Sequence, residues 1–588
     1  MAARLNGAHP TRNTSGLSGR GLPVSTGGSD PWTRPSDWLT LPTVTESDQK
    51  FVGLHAVYPE GNFVALTAAG DYTVDWGDGV VENFSANVVA EHEYNYSTYD
   101  TSNTTLSSRG YKQAIITITP QSGQNLTVLN LHQRHSTLSV AYSSGFLDIA
   151  LSSEFLTDLR IGVATPGSTT QNIRFADLEQ VNIVRSDLRT LEHLFLNCYS
   201  LQSVIGISTS TKSASTLSVT FTDAGDLVTS VAHGLRNGDT VILLSLTSTT
   251  GITAGIRYFV ISATTDTFQL SSTYGGSAIA LTTDGSGTLV GGTSMANMFN
   301  NCVSLTTIPL LNTTSVSTMN NMFSGCRNMT SVPLFNTESV IIMSGMFNAC
   351  SILETVPLFN TASVIYMGSM FFGCSGLKTV PLFNTASVIT MSNMFNACSI
   401  LETVPLFNTA SVTIVNDMFN SCYKLKTVPL FNTASVTTMS QMFNNCYSLT
   451  TVPLFDTSSV TNTNSMFNYC YSLTSVPLFN TASVTTMVQM FNNCYSLTSV
   501  PALITTAVTT SPNFSGMFNN CNSLTRIQAK NFNYTFSVAN CKLSATALNE
   551  IYTNLPTVTG QTITVTGNYG TSSDDPTIAT AKGWTVTG

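Results

Sequence analysis

The sequence predicts a mainly β protein with short helices, built around a solenoid of 24-residue coils. Three observations carry this. Nine cysteines, Cys302, Cys326, Cys350, Cys374, Cys398, Cys422, Cys446, Cys470 and Cys494, stand 24 residues apart. Each begins a copy of one phrase, seen in Cys446-Tyr-Ser-Leu-Thr-Thr-Val-Pro-Leu-Phe-Asp-Thr-Ser-Ser-Val, which closes on Ser-Met-Phe-Asn-Tyr before Cys470. Within each copy the apolar period changes from three or four to two. A fixed period in the twenties marks stacked units, each burying its apolar side only against its neighbours. A repeated surface presents the same groups many times, whereas a catalytic centre needs unlike groups converging once.

One coil can be read residue by residue. Val436, Met439, Met442, Phe443, Cys446 and Leu449 fall three or four apart and predict one apolar helical face. Thr433 and Ser435 precede it as caps. After Leu449 the period is two, placing Val452 and Leu454 on one side and Pro453 and Phe455 on the other. Each coil is therefore expected to be a short strand, a tight turn at Asp456-Thr457 and a short helix. Stacked strands would lie about 4.8 Å apart in a parallel sheet. The proline column, Pro333 to Pro477, removes one ladder donor per coil and limits each strand to about three residues.

Alternation makes Phe335, Phe359, Phe383, Phe407, Phe431, Phe455 and Phe479 an outward aromatic column, the candidate surface-binding stripe, suited with its Asn and Thr neighbours to sugar rings. The competing arrangement turns the same side chains inward at the strand end, to stack as a ladder.

The spacing of Leu449, Val452 and Leu454 is the L-x-x-L-x-L of leucine-rich repeats. With Met-Phe-Asn-x-Cys before it and Phe-Asn-Thr-x-x-Val after it, the phrase resembles the BspA-like leucine-rich-repeat surface proteins, which include bacterial adhesins and many phage-encoded proteins. The resemblance covers roughly residues 170 to 530. Met517-Phe-Asn-Asn-Cys521 is a further unit, with extra residues around Ser511-Pro512. Leu194-Phe-Leu-Asn-Cys198-Tyr-Ser-Leu201 is another, preceded by a strand at Leu178, Val181 and Ile183.

Between Cys198 and Cys302 something is inserted into a coil. Residues 208–292 alternate as strands do, at Leu217-Ser-Val-Thr-Phe, Thr240-Val-Ile-Leu-Leu, Arg257-Tyr-Phe-Val-Ile and Phe268-Gln-Leu, with turn signals at Asn237-Gly238 and Gly275-Gly276. Val231-Ala-His-Gly-Leu-Arg-Asn-Gly-Asp239 and the strands after it look like a small β module of phage tail fibres. His233 there is read as packing on a barrel rim. Upstream, Tyr72-Thr-Val-Asp-Trp-Gly-Asp-Gly79, His92-Glu-Tyr94 and Gln113-Ala-Ile-Ile-Thr-Ile-Thr119 resemble an immunoglobulin-like domain of PKD type. Asp75 and Asp78 are read as capping the hairpin, with calcium as the alternative.

The expected organisation is a virion-anchoring arm at 1–45, a PKD-like β-sandwich at 46–125, the start of the solenoid at 126–207, the inserted module at 208–292, the solenoid again at 293–530 and a capping unit at 531–588. The arm is rich in Gly, Ser, Thr, Pro and Arg, and Trp32 and Trp38 are its candidate anchors, packing either on another virion protein or on the following domain. In the cap, Ala545–Asn554 and Thr577–Lys582 read as helices and Thr562–Thr566 and Trp584–Val586 as strands, with Trp584 over the last core layer.

Composition excludes several functions. Charged residues are 9% of the chain and the net charge is −9. Only nine charges lie between Cys302 and Cys494, so a phosphate backbone could not be neutralised and nucleic acid is not expected. No apolar stretch approaches the length of a membrane span, and Met1-Ala-Ala-Arg-Leu-Asn-Gly-Ala-His-Pro lacks a signal peptide's apolar region. Synthesis in a reducing compartment then implies free, buried cysteines. His132 and His135 form an H-x-x-H without a carboxylate or thiol at ligand spacing. No catalytic residue, metal site or cofactor is expected.

The three resemblances imply a bacteriophage virion structural protein, a fibre or appendage recognising a host-surface glycan or protein. It would hold other virion proteins through its arm, form a homo-oligomer on the particle and leave the host by lysis. The alternatives are a capsid decoration or a tail or collar component without a receptor, and a bacterial surface adhesin.

Overall fold

The computed structural model describes residues 32–59, 63–131, 133, 135–136, 145–161, 177–188, 191–207, 215–249, 251–273, 276–508, 514–530 and 532–588. Most of the expected arm (1–31), the start of the insertion (208–214), His132, Gly275 and the Ser511-Pro512 spacer lie outside them. The chain forms two compact units, Met1–Met329 with Phe335–Ser339, and Thr330–Leu334 with Val340–Gly588.

In the first unit, a seven-stranded sheet has the order Ser203–Ile205, Gln180–Arg185, Phe146–Ser152, Lys50–Val57, Lys112–Pro120, Tyr72–Asp75 and Val81–Phe84. Ala90–Glu93, Phe63–Ala69, Val128–Asn130 and Asp158–Arg160 form a second sheet. The large sheet does not stop at the boundary expected at residue 125. Lys50–Val57 pairs antiparallel with Phe146–Ser152, which pairs parallel with Gln180–Arg185 and so hands the sheet on to the first coils. In the hairpin after Tyr72–Asp75, the Asp75 carboxylate accepts the Gly77 N–H (3.0 Å) and Asp78 the Val80 N–H (3.1 Å). A side chain at Gly77 would meet the Ile115 carbonyl at 2.4 Å, and its φ of +76° suits only glycine.

The inserted segment closes on itself. Ser215–Thr222, Leu227–Thr229, Thr267–Ser271, Arg257–Ile261, Thr240–Thr247 and Gly285–Ser294 pair in that order, and the last pairs back to the first. Its core is Val219, Phe221, Val241, Leu243, Val260, Phe268 and Leu289. His233 is buried, accepts the Leu235 N–H on Nδ1 (2.9 Å) and packs edge-on against Phe268, a structural histidine. The repeats continue past this barrel. The N–H groups of Leu191, His193, Phe195 and Asn197 donate to the carbonyls of Ser294, Ala296, Met298 and Asn300, so the coil before the insertion stacks directly on the coil after it. Among the described residues an ion pair fastens barrel to coil: Arg257, over the Phe259 ring, meets Glu192. Burial pushes the Glu192 carboxyl up to about 7 against the pull of Arg257, and pushes neighbouring His193 down to about 4. Replacing residues 209–291 by a short Gly-Ser bridge is expected to preserve the cooperative melt of the repeats, because chain exit and return are adjacent. A lost transition in calorimetry would show that barrel and coils share one core.

In the second unit the coils depart from the expected strand and helix. Between Val340 and Asn493 the described chain has no helix, and its coils touch through single parallel bridges, Ile342 to Tyr366 to Thr390 and on to Thr486. In the helix expected from Val436 to Leu449, every second N–H from Met439 to Asn445 is taken by the next coil. Met442, Asn444 and Cys446 donate three residues back, while Gln441, Phe443 and Asn445 donate to the carbonyls of Asn464, Met466 and Asn468. Gln441 and Asn445 hold φ of 56° and 60°, which breaks any helix. Thr433 is not a cap: its hydroxyl donates forward to the Asp456 carbonyl at 2.7 Å, and Thr361, Thr385, Thr409 and Thr457 do the same one coil apart.

All twelve cysteines are buried and free. Cys374, Cys398, Cys422, Cys446, Cys470 and Cys494 each donate from Sγ to the carbonyl of the phenylalanine 27 residues earlier, at 2.9–3.1 Å. Each of these carbonyls also accepts the backbone N–H of the cysteine three residues on, so the thiol, a weak donor on a small apolar side chain, fills the second acceptor position of a buried carbonyl. The C-terminal segment carries the described helices, Ala545–Asn554, capped by Ser544, and Thr577–Thr580. Phe536–Ser537, Gln561–Thr564 and Trp584–Thr587 form a parallel sheet. Trp584 is buried edge-on against Phe536, which continues the ring row Phe514, Phe532, Phe536.

Candidate binding surface

The expected binding stripe is not on the surface. Phe335, Phe359, Phe383, Phe407, Phe431, Phe455 and Phe479 are 1–3% exposed. The physical reason is a three-residue turn. The N–H of Phe455 donates to the Pro453 carbonyl at 3.0 Å, and the same bond recurs at Phe359, Phe383, Phe407, Phe431 and Phe479. A γ-turn of this kind breaks the two-residue alternation and swings Phe inward. There Phe407 stacks on Phe431 at 6.5 Å and on Phe395 at 6.1 Å, so two phenylalanine columns form one aromatic core.

The same turn expels the leucine before it. Leu454, expected beside buried Val452, is 59% exposed, and Leu334, Leu358, Leu382, Leu406, Leu430 and Leu478 are 59–61% exposed. Half-buried prolines flank this column on one side and exposed Asn or Asp on the other. In the next coil Ala502 takes the leucine's place and the column ends. Charges near it are few, and four of them pair within the chain, Lys378 with Glu354 at 2.5 Å and Lys426 with Glu402 at 2.6 Å, each one coil apart; Glu338 and Lys424 are exposed as well. Such exposed pairs add little stability.

A second column follows the cysteines. Tyr423, Tyr447, Tyr471 and Tyr495 stack at 4.8, 4.7 and 4.9 Å, where the earlier coils carry Ser351, Ser375 and Ser399. Rings stacked face to face offer edges and hydroxyls, so the row presents a line of hydrogen-bonding groups rather than a platform for a sugar face. The tyrosine recurs in the sequence directly after Cys422, Cys446, Cys470 and Cys494, but the serines at the same place in earlier coils make it an incomplete column that periodicity alone does not single out.

Trp32 and Trp38 do not form a free anchor. Trp38 is 4% exposed, packs with Leu54, Ala56, Tyr111 and Leu147, and donates from Nε1 to the Tyr111 hydroxyl at 2.9 Å. The guanidinium groups of Arg34 and Arg109 lie over its ring, and these arginines pair with Asp148 and Glu179. Trp32 rests against Trp38 and donates to Glu179 at 3.3 Å. Of the two packings open to these residues, the one on the following domain holds, because the sheet offers an apolar bed and the acids pair the arginines beside it.

No group of three or more metal-ligating side chains exists among the described residues. His135 lies 3.5 Å from Glu93 and 3.8 Å from Glu91. Near the expected hairpin, an open hollow is lined by Asp78, Glu93, Tyr94, Tyr99 and Asp100. Asp100 is already engaged by Ser102, Thr104 and Thr105, and the hydrogen bonds from Thr105 hold its carboxyl well below the usual range against a small opposing effect of burial. No helix of the described residues is long and apolar enough to cross a membrane.

Comparison with known proteins agrees with this geometry over the repeats. The family model described as "Mycoplasma protein of unknown function, DUF285" matches residues 293–400, 354–454, 377–475 and 449–554, together less than half of the chain. The stacked coils resemble leucine-rich repeats. Family match and stacked coils together support a BspA-like leucine-rich-repeat array in that region. Among solved structures, the chain is similar to a TLR13–ssRNA13 complex at 15% identity and TM-score 0.18, covering 47% of this chain and 50% of that one. It is similar to a leucine-rich repeat protein from Eubacterium ventriosum at 12% identity and TM-score 0.22, covering 57% and 67%. Toll of Drosophila, in its complex with Spatzle, matches at 11% identity and TM-score 0.19, covering 71% and 51%. The chain thus spans about half the length of the first of these. No curated protein matches the chain.

Proposed function

We propose that this chain is a bacteriophage virion structural protein, a fibre or other appendage that recognises the host cell surface, and that it is not an enzyme. The observation that carries the reading is the repeated outer surface of the second unit. From Leu334 to Leu478 each coil shows the same exposed leucine, Asn or Asp, and Thr or Ser, with few charges. Such a surface makes many equal contacts with a repetitive target, as a cell-surface glycan or a protein lattice is. The barrel inserted in a coil and the N-terminal sheets would be the tail-fibre-type module and the PKD-like spacer that the sequence resembles. A specific observation favours a second reading, a capsid decoration or tail component without a receptor. The most exposed repeating column is apolar leucine, which suits contacts within an assembly better than sugar.

Micrographs of virions labelled with antibody to residues 300–500 are expected to show label on the particle. Unlabelled particles in a producing culture would sink both readings and leave the bacterial adhesin. Binding of the isolated protein to host cells, in competition with virion adsorption, supports the fibre. Labelled particles with no such binding support the decoration.

A further inference from the structure

We propose that the leucine column, Leu334 to Leu478, is a self-association surface, on which a second copy of this chain docks column to column. At about three-fifths exposure a leucine shows on the order of 100 Å² to solvent. Seven of them, one per coil, make a contiguous strip of about 700 Å², more than the roughly 300–600 Å² of the largest patch on a typical monomer. With the flanking proline and Asn columns, the strip reaches the ~800 Å² per partner of a stable interface.

Two features select a second copy as the occupant. The first is pitch. Side chains spaced one per coil can be met one for one along the whole strip only by a surface with the same coil spacing, and another copy has it by construction. The second is charge. A face that meets itself meets its own sign, so an isologous contact must be nearly neutral. Here Glu354 and Glu402 are already paired with Lys378 and Lys426 of the same chain, and Asp456 is the one acid in the column beside the leucines from Leu358 to Leu478. A nucleic acid or an acidic partner would find few cations to hold, for of Lys378, Lys424 and Lys426 two are already paired within the chain. The inference stands apart from the virion reading and holds for any particle or cell surface.

In either isologous arrangement centred on the seven leucines Leu334 to Leu478 of the second unit, parallel or antiparallel, the central Leu406 faces Leu406 of the other copy. This gives a direct test on the full chain. Sedimentation equilibrium is expected to show a dimer, and Leu406→Ser with Leu430→Ser and Leu454→Ser to weaken it about 100-fold or more, with melting unchanged at dilutions where both chains are monomeric. Should the triple variant melt early, Leu406→Cys decides alone. Because every native thiol is buried, mild oxidation is expected to yield a disulfide-linked dimer of Leu406→Cys. None is expected of Thr413→Cys, which is exposed beyond the turn at Ala410-Ser411. A wild-type chain that is monomeric up to its solubility limit would overturn the proposal. So would a dimer indifferent to the serine substitutions, or equal cross-linking of the two cysteine variants.

Discussion

Replacing Phe407, Phe431 and Phe455 with serine is expected to unfold the repeats of the second unit. Each ring is nearly fully buried and stacks both along its own column and across to the Met-Phe column, as Phe431 does on Phe455 at 6.5 Å and on Phe419 at 6.3 Å. Truncating a buried phenylalanine costs about 3–5 kcal/mol. Three neighbours couple, so their sum is not simply additive. Even so, the loss is comparable to the roughly 5–15 kcal/mol that holds a typical domain. Circular dichroism and calorimetry of the triple variant should show the repeat transition lost or moved far down. The matched substitutions Leu406→Ser, Leu430→Ser and Leu454→Ser remove exposed side chains and should shift stability by about 0.5 kcal/mol or less per site in the monomer. Strict alternation along the strand predicts the reverse pattern, with the leucines destabilising and the phenylalanines silent. That outcome would refute the inward turn at Pro-Leu-Phe.

The second large effect is chemical. Burial pushes the thiols of Cys374 and Cys541 up to about 12, and those of Cys302, Cys398, Cys446, Cys494 and Cys521 well above the ordinary range. The ordinary value is about 8.5, and only the thiolate is nucleophilic. At pH 9 an unfolded chain therefore exposes mostly thiolate at all twelve positions, while the native chain exposes almost none. Iodoacetamide at that pH is expected to leave native protein unlabelled for as long as it stays folded, and to modify twelve sites in denaturant. Labelling should track unfolding of the coils, since no thiol reaches solvent otherwise. Prompt modification of the native protein, or disulfides found by mass mapping, would remove the buried ladder from the account.

Much of the architecture was legible because it is local or periodic. The spacing of Cys302 to Cys494 marks the coils and their number without any knowledge of their conformation. The gap between Cys198 and Cys302 shows that a coil has been interrupted, and the strand patterns at Leu217, Thr240, Arg257 and Phe268 show by what. Asp75 and Asp78 bond the N–H groups two residues on, which is a local matter. The helix at Ala545–Asn554 carries its own cap in Ser544 and ends before Pro556. In each case the information needed lies within a few residues, or in the repeat itself.

The candidate surface was not legible, and the reason is that one coil's backbone is completed by another. The stretch from Val436 to Cys446 has a helical apolar pattern, yet Gln441, Phe443 and Asn445 give their N–H groups to the following coil and a helix cannot form. A partial hint was present: Gly345, Gly373, Asn393 and Asn445 tolerate the positive φ of their positions, but Ala349, Ala397, Gln441 and Tyr469 hold the same conformation at equivalent places and hide it. Trp32 and Trp38 look like free aromatic anchors in a polar segment, and only the fold brings Tyr111, Asp148 and Glu179 to them. The sequence by itself determined the period, the columns, the insertion and the near absence of charge. The tertiary structure decided which column faces water. Phenylalanine rings gain more from stacking inside than leucines lose by exposure, and the Pro-Leu-Phe turn lets the chain make that exchange in every coil.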